Sequence, residues 1–261
     1  MDLADITDKV TAAYQAVGNL AFSYGQGSVT AGFAEQGTLD LVMVWDRNEP
    51  PRGNQRPVAV LHEGSALQAA QFDHLDFVRD RFLMGGRSIE VAHYTLAAFD
   101  RWIQEVRAGH GWEEMDKPLP LYAVAGFAYG RIGLDDRGLA EAAKEKLTDF
   151  PTALIERSRS MLLLEMPSYD EDLDDCVRRG DGFLFHELLS RVHRHALVAW
   201  FAAEHRYCPH PKWINKWIAR LGLSASISGI ERAMWGPVNL ARRHELFLTM
   251  VERVIALSHR A

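Results

Sequence analysis

The sequence predicts an α+β chain: an N-terminal mixed sheet with flanking helices, followed by a C-terminal helical bundle. Two observations carry this prediction. Before residue 95 the apolar residues fall in short dense or alternating runs bounded by glycine and polar turns, as strands require. After it they recur at three- and four-residue intervals, as the buried faces of helices require. The change of period places a boundary between residues 110 and 137, giving an N-terminal domain over 1–125 and a helical domain over 126–261.

The chain opens with Leu3, Ile6, Val10, Ala13 and Val17 at helical spacing, and Gly18 stops that helix. Leu20 to Tyr24 is extended and half-apolar and runs into the turn Gly25-Gln26-Gly27-Ser28. Leu39 to Trp45 has the Val, Leu and Met density of a buried strand. Asn48 to Arg56 lacks apolar side chains and reads as an exposed loop, and Val58 to Leu61 reads as a further strand. Residues 65 to 84 follow neither period cleanly, although Phe77, Phe82 and Leu83 imply partial burial. Ser88 to His93 alternates Ile89 and Val91 against Glu90 and Ala92, the period of a half-buried strand, which places His93 on the face opposite Glu90. Phe99, Trp102, Ile103 and Val106 begin the helical region. Its best helices run from Phe183 to Glu204, with Leu184, Leu188, Val192, Leu197 and Trp200 as the apolar stripe, and from Val238 to Ser258.

With 261 residues and 48% hydrophobic content, the chain can bury one large core or two modest ones. A formal net charge of −6 argues against a protein whose main task is neutralising a nucleic-acid backbone, so no nucleic-acid partner is expected. Cys176 and Cys208 form no zinc-binding spacing and fit a reducing cytoplasm. The N-terminus lacks a basic stretch followed by an apolar run, and no segment approaches the roughly 20 apolar residues of a bilayer span. The expectation is a soluble, cytoplasmic protein without a membrane partner. Nothing in the pattern specifies an oligomeric state.

Chemistry concentrates between Gly27 and Val42. A strand enters a glycine turn, a short helix follows, and a second strand carries Asp40. Glycine lets backbone N–H groups approach phosphate oxygens without a Cβ in the way, Ser28 adds a hydroxyl, and a nearby carboxylate can hold a divalent cation against the same phosphates. This stretch resembles the nucleotidyltransferase superfamily, whose signature is a Gly-Ser or Gly-Gly turn followed about ten residues later by Asp-x-Asp on a strand. Gly85 to Trp102 resembles the segment supplying that family's third carboxylate, with Glu90 in its place. Tyr129 to Pro151 and Trp200 to Leu221 resemble the helical second domain of the small-molecule and antibiotic-modifying members.

The resemblance implies a nucleotidyltransferase-like sheet and transfer of a nucleoside monophosphate from ATP to a hydroxyl of a small-molecule substrate. It also implies a site: Asp40 and Glu90 as catalytic residues and Mg2+ ligands, with Gly27, Ser28, Thr38 and Lys212 on the nucleotide. The sequence departs from the family at Thr38, where the first aspartate belongs. That aspartate bridges both cations of a two-metal site, and a neutral hydroxyl cannot replace its charge. Two alternatives stay open beside transfer: a catalytically degenerate protein that binds or regulates, and a pocket recruited to different small-molecule chemistry, with Glu90, Glu35 or His93 as acid or base. Elsewhere, Lys212 and Lys216 are expected one turn apart on a short helix, and the acidic run from Asp170 to Asp175 is expected to begin a helix or attract a cationic substrate. His186, His193, His195 and His205 lack the spacing of a metal site.

Overall fold

The computed structural model describes residues 2–65, 69–74, 77–113 and 119–260. The chain forms two compact units, one of residues 1–105 with 114–149 and one of residues 106–113 with 150–261.

The first unit is built on a six-stranded mixed sheet. In chain order its strands are β1 (Leu20–Gln26), β2 (Leu39–Trp45), β3 (Ala70–His74), β4 (Phe77–Met84), β5 (Arg87–Thr95) and β6 (Arg131–Ile132), and their spatial order is β3-β4-β5-β2-β1-β6. β2 and β5 run parallel, and every other pair is antiparallel. One face is covered by α1 (Leu3–Gln15), which starts because the Asp2 carboxylate accepts from the Asp5 N–H at 2.8 Å in a reciprocal cap. Ile6, Val10 and Tyr14, spaced by four, bury against Leu39, Leu41, Met43 and Trp45 of β2, Ile89 and Val91 of β5, and Phe82 of β4. The other face carries an aromatic cluster, in which Phe22 and Tyr24 of β1 meet Phe99 of α4 (Leu96–Arg107) and Phe127 of α5 (Pro120–Ala128) with ring centroids 5.0–6.2 Å apart.

Two expectations are corrected here. Val58–Leu61 is a helical turn, because the Pro57 carbonyl accepts from Val60 and Leu61; Val58 and Leu61 then bury while Val60 faces solvent. The segment from Asn48 to Arg56 is not wholly exposed, since its last residue, Arg56, is buried. β6 pairs with β1 through Tyr24↔Ile132, so the segment after α5 belongs to the first compact unit.

Arg56 is buried because Asp80 is. On the α1 face the Asp80 carboxylate accepts from Arg56 Nε at 2.9 Å, from the Tyr14 hydroxyl at 2.5 Å and from His93 Nε2 at 3.0 Å. Trp45 Nε1 donates to His93 Nδ1 at 3.2 Å, which leaves the ring proton on the nitrogen facing Asp80. Arg56 also donates to the Pro51 carbonyl at 2.8 Å. Both charged side chains are fully buried, so the arrangement is tolerable only because each is hydrogen-bonded and paired. Burial pushes the Asp80 carboxyl up, but His93, Tyr14 and Arg56 together outweigh it and hold the group below its ordinary 3.8. Burial and the adjacent Asp80 charge push the Tyr14 hydroxyl far up, so it stays a donor.

The second unit is helical: α7 (Thr152–Arg179), α8 (Gly182–Ala203), α9 (Ile214–Leu221), α10 (Ala225–Met234) and α11 (Leu240–Ser258), numbered after α6 (Leu139–Glu145) of the first unit. α8 packs on α7 and α11 through Phe185, Leu189, Val192, Ala196 and Ala199. Of the expected stripe Val192, Leu197 and Trp200 are buried, whereas Leu184 and Leu188 are half-buried and Phe185 and Leu189 take the core positions beside them. The acidic run lies inside α7 and does not begin a helix; its Asp170 pairs with His244 at 2.9 Å. His195 bonds Glu165 at 2.5 Å, and burial holds His193 neutral by lowering it to about 4. No group of three or more His, Cys, Asp or Glu among the described residues can hold a metal ion, and no described helix is long and apolar enough to cross a membrane.

The Asp80 network makes two outcomes measurable. Asp80→Ala leaves the Arg56 charge buried and unpaired and is expected to cost about 3–5 kcal/mol in urea denaturation. Because the folded-state value of Asp80 is lowered, its contribution is complete above the ordinary carboxylate range and disappears as pH falls through that lowered value. The wild-type melting temperature is therefore expected to fall more steeply in acid than that of Asp80→Asn, and parallel curves would contradict this.

Candidate functional site

The parallel ladder between β2 and β5 places Leu39 beside Ile89, Asp40 beside Glu90 and Leu41 beside Val91. Since Leu39, Leu41, Ile89 and Val91 all enter the core under α1, alternation turns Asp40 and Glu90 together onto the opposite face. Both are half-buried. His93, three residues on, takes the other face, where it serves the Asp80 network.

Across the antiparallel ladder with β1, Asp40 is level with Gln26, the residue before the glycine turn. Gly27 opens the four-residue helix α2 (Gly27–Thr30) with φ +77°. A Cβ at Gly27 would overlap the Asp40 Oδ2, so glycine is required both by conformation and by the approach of the carboxylate. Gln26 is packed equally closely, with its Oε1 where a Cβ on Gly126 of α5 would lie. The Ser28 carbonyl accepts from Phe33 at 2.8 Å and Ala34 at 3.3 Å, closing the turn on itself. Thr38 is half-buried one residue before β2. The loop between is tied down by Arg87, whose guanidinium donates to the carbonyls of Glu35 at 3.1 Å and Gly37 at 3.3 Å, while Glu35 itself is exposed.

The residues that the sequence pattern did not single out are arginines. On β4, Arg81 lies directly across from Glu90 and Arg79 across from Ala92, so both share the face of Asp40 and Glu90. Arg79 Nη1 reaches diagonally to Glu90 Oε1 at 2.7 Å, with both side chains about a quarter exposed. Beside them burial pushes the Tyr94 hydroxyl up to about 12, with Arg79 pulling it down and Glu90 pushing it up. The signal was present in Phe77 to Met84 (FVRDRFLM), where Val78, Asp80 and Phe82 alternate with Arg79, Arg81 and Leu83. The buried Asp80 breaks the apolar half of that alternation and hides it.

The donor set departs from what two magnesium ions need. Magnesium is held by carboxylates and phosphates in strict octahedral geometry. Here one of the three expected carboxylates is the hydroxyl of Thr38, and a second, Glu90, is ion-paired with Arg79. Lys212 belongs to the second unit, whereas Asp40 belongs to the first. It is exposed in the turn before α9, not on the helix, and its backbone N–H donates to His210 Nδ1 at 3.1 Å. Lys216 lies over the Trp213 ring at 4.9 Å.

Residues 117–214 match a family described as a domain of unknown function, DUF4037. No curated protein matches the chain. A solved structure of a nucleotidyltransferase-like protein from Exiguobacterium sibiricum is similar over 98% of this chain and 75% of its own, at 10% identity and a TM-score of 0.47.

The contact between Gly27 and Asp40 is testable by a double-mutant cycle. Gly27→Ala alone is expected to cost at least about 1–2 kcal/mol, from the left-handed backbone and the displaced carboxylate. Combined with Asp40→Ser, which shortens the side chain, the double variant is expected to be more stable than the sum of the single losses predicts. Strict additivity in chemical denaturation would show that the two residues do not meet.

Proposed function

We propose that this chain is a nucleotidyltransferase-like protein that binds a nucleoside phosphate at the Gly27–Asp40 edge of its sheet and does not perform two-metal nucleotidyl transfer. Support for the site comes from the order of its parts. The glycine turn, the strand carrying Asp40 and the strand carrying Glu90 follow in the sequence as in the nucleotidyltransferases, and Asp40 lies level with Glu90 in one sheet. The observation that carries the loss of transfer is the ion pair between Glu90 and Arg79.

In two-metal transfer one cation activates the attacking hydroxyl and the other neutralises the leaving triphosphate, and both depend on shared carboxylates. Thr38 contributes no charge, and Glu90 already faces a guanidinium. Asp40 remains, too little to hold two divalent ions. On this reading Gly27, Ser28 and Thr38 meet the phosphates through backbone N–H and hydroxyl groups. The ATP and Mg2+ expected from the family pattern thus separate: the nucleotide is retained as a ligand, and the metal-dependent step is not. The biological role is that of a binding or regulatory protein.

The test combines binding with chemistry. Titration with ATP, CTP, GTP and UTP is expected to show saturable binding of at least one nucleotide. Incubation of that nucleotide, labelled at the α-phosphate, with hydroxyl-bearing small molecules is expected to transfer no label. Thr38→Asp is expected to leave transfer absent, because Glu90 stays paired, and to weaken binding about tenfold, since one added charge near a phosphate costs on the order of 1–2 kcal/mol in partly solvated surroundings. Magnesium-dependent label transfer by the wild type, or its appearance in Thr38→Asp, would overturn the proposal.

A further inference from the structure

A polyphosphate cannot approach Asp40 and Glu90 without a counter-charge, and in two-metal sites the cations provide it. On this chain the face that carries the two carboxylates also carries two guanidinium groups, Arg79 and Arg81, by the register of β4 on β5. Resting on the nucleotide-site reading above, we infer that Arg79 supplies the positive charge that divalent cations supply elsewhere, so that the site takes a nucleoside polyphosphate without a metal.

Three features carry the inference. The first is placement: Arg79 reaches Glu90 at 2.7 Å, and Glu90 is the residue level with Asp40, so the guanidinium is held on the carboxylate row. The second is accessibility, because the Arg79 side chain retains a quarter of its surface, enough to be met by a ligand without unfolding the strand. The third is chemistry. Guanidinium is planar, permanently charged and matched to pairs of phosphate oxygens, and a carboxylate holding one edge of it fixes the orientation of the rest. Glu90 is then a positioning residue for Arg79 and not a metal ligand. The contrast with the interior is informative: the Arg56–Asp80 pair is fully buried and serves the fold, whereas the Arg79–Glu90 pair keeps part of its surface in contact with solvent.

The experiment measures the affinity of a fluorescent ATP analogue for wild type, Arg79→Gln, Arg79→Lys and Glu90→Gln, each in excess EDTA and in excess magnesium. Wild type is expected to bind equally well in both. Arg79→Gln is expected to lose about tenfold or more in EDTA, the scale of a charge-assisted phosphate contact, with Arg79→Lys recovering part of the loss. Glu90→Gln is expected to weaken binding moderately and to the same degree with and without magnesium. Melting curves establish that each variant is folded; if Arg79→Gln is not, Arg79→Lys and Glu90→Gln decide the matter through the same metal comparison. Wild-type binding that requires magnesium and is unchanged in Arg79→Gln would overturn the role of Arg79 while leaving the nucleotide site standing. Absence of binding in either condition would overturn the nucleotide site itself, and this inference with it.

Discussion

The parallel pairing of β2 with β5 is the constraint on which both faces of the first unit depend. Its register sets Met43 level with His93 on one side of the sheet and Asp40 level with Glu90 on the other. Side chains alternate with a period of two, so a slip of one residue would turn either Asp40 or Glu90 into the apolar core and expose Leu39 and Leu41 or Ile89 and Val91 in exchange. The apolar half of the pattern therefore specifies the register, and the polar half inherits it. The candidate site costs the fold little, because its residues occupy positions that the core has already turned outward.

The two faces treat charge in opposite ways. Under α1, Asp80 is enclosed by Arg56, Tyr14 and His93, with Trp45 completing the network, and both members of the charged pair are shut off from water. Such a network contributes little net energy but makes any arrangement that separates its members expensive. It ties α1 and the loop before α3 (Val58–Leu61) to the paired strands β4 and β5. On the other face the Arg79–Glu90 pair keeps partial contact with solvent. The same residue types are locked in place on one side and presented on the other, and the difference is burial.

The candidate site combines a closely packed backbone frame with side chains of both charges. Gly27 combines a left-handed backbone with close approach of the Asp40 carboxylate, so a larger residue there would be strained and would displace that carboxylate. Arg87 holds the loop leading to Thr38 through two backbone carbonyls, so that segment is positioned without help from a ligand. Around this frame stand the hydroxyl of Thr38 and the Arg79 guanidinium against Glu90.

Local pattern alone determined the α+β class, the strands around Leu20, Leu39 and Ser88, the long helices of the second unit, and the fact that Glu90 and His93 take opposite faces. Each follows from periodicity, which a single strand or helix expresses without reference to its neighbours. The glycine turn before β2 was legible for the same reason, as a motif within one short stretch. Tertiary structure alone decided the rest. Val58–Leu61 turns helical because Pro57 offers its carbonyl at that point, and Arg56 leaves an otherwise polar loop because Asp80, twenty-four residues away, needs its charge. Arg79 joins Glu90 only through the register of two strands whose alternation is disguised by that same buried aspartate. A strand's period can be read from its own residues, but the partner of a charge lies on another strand, and only the folded sheet brings the two together.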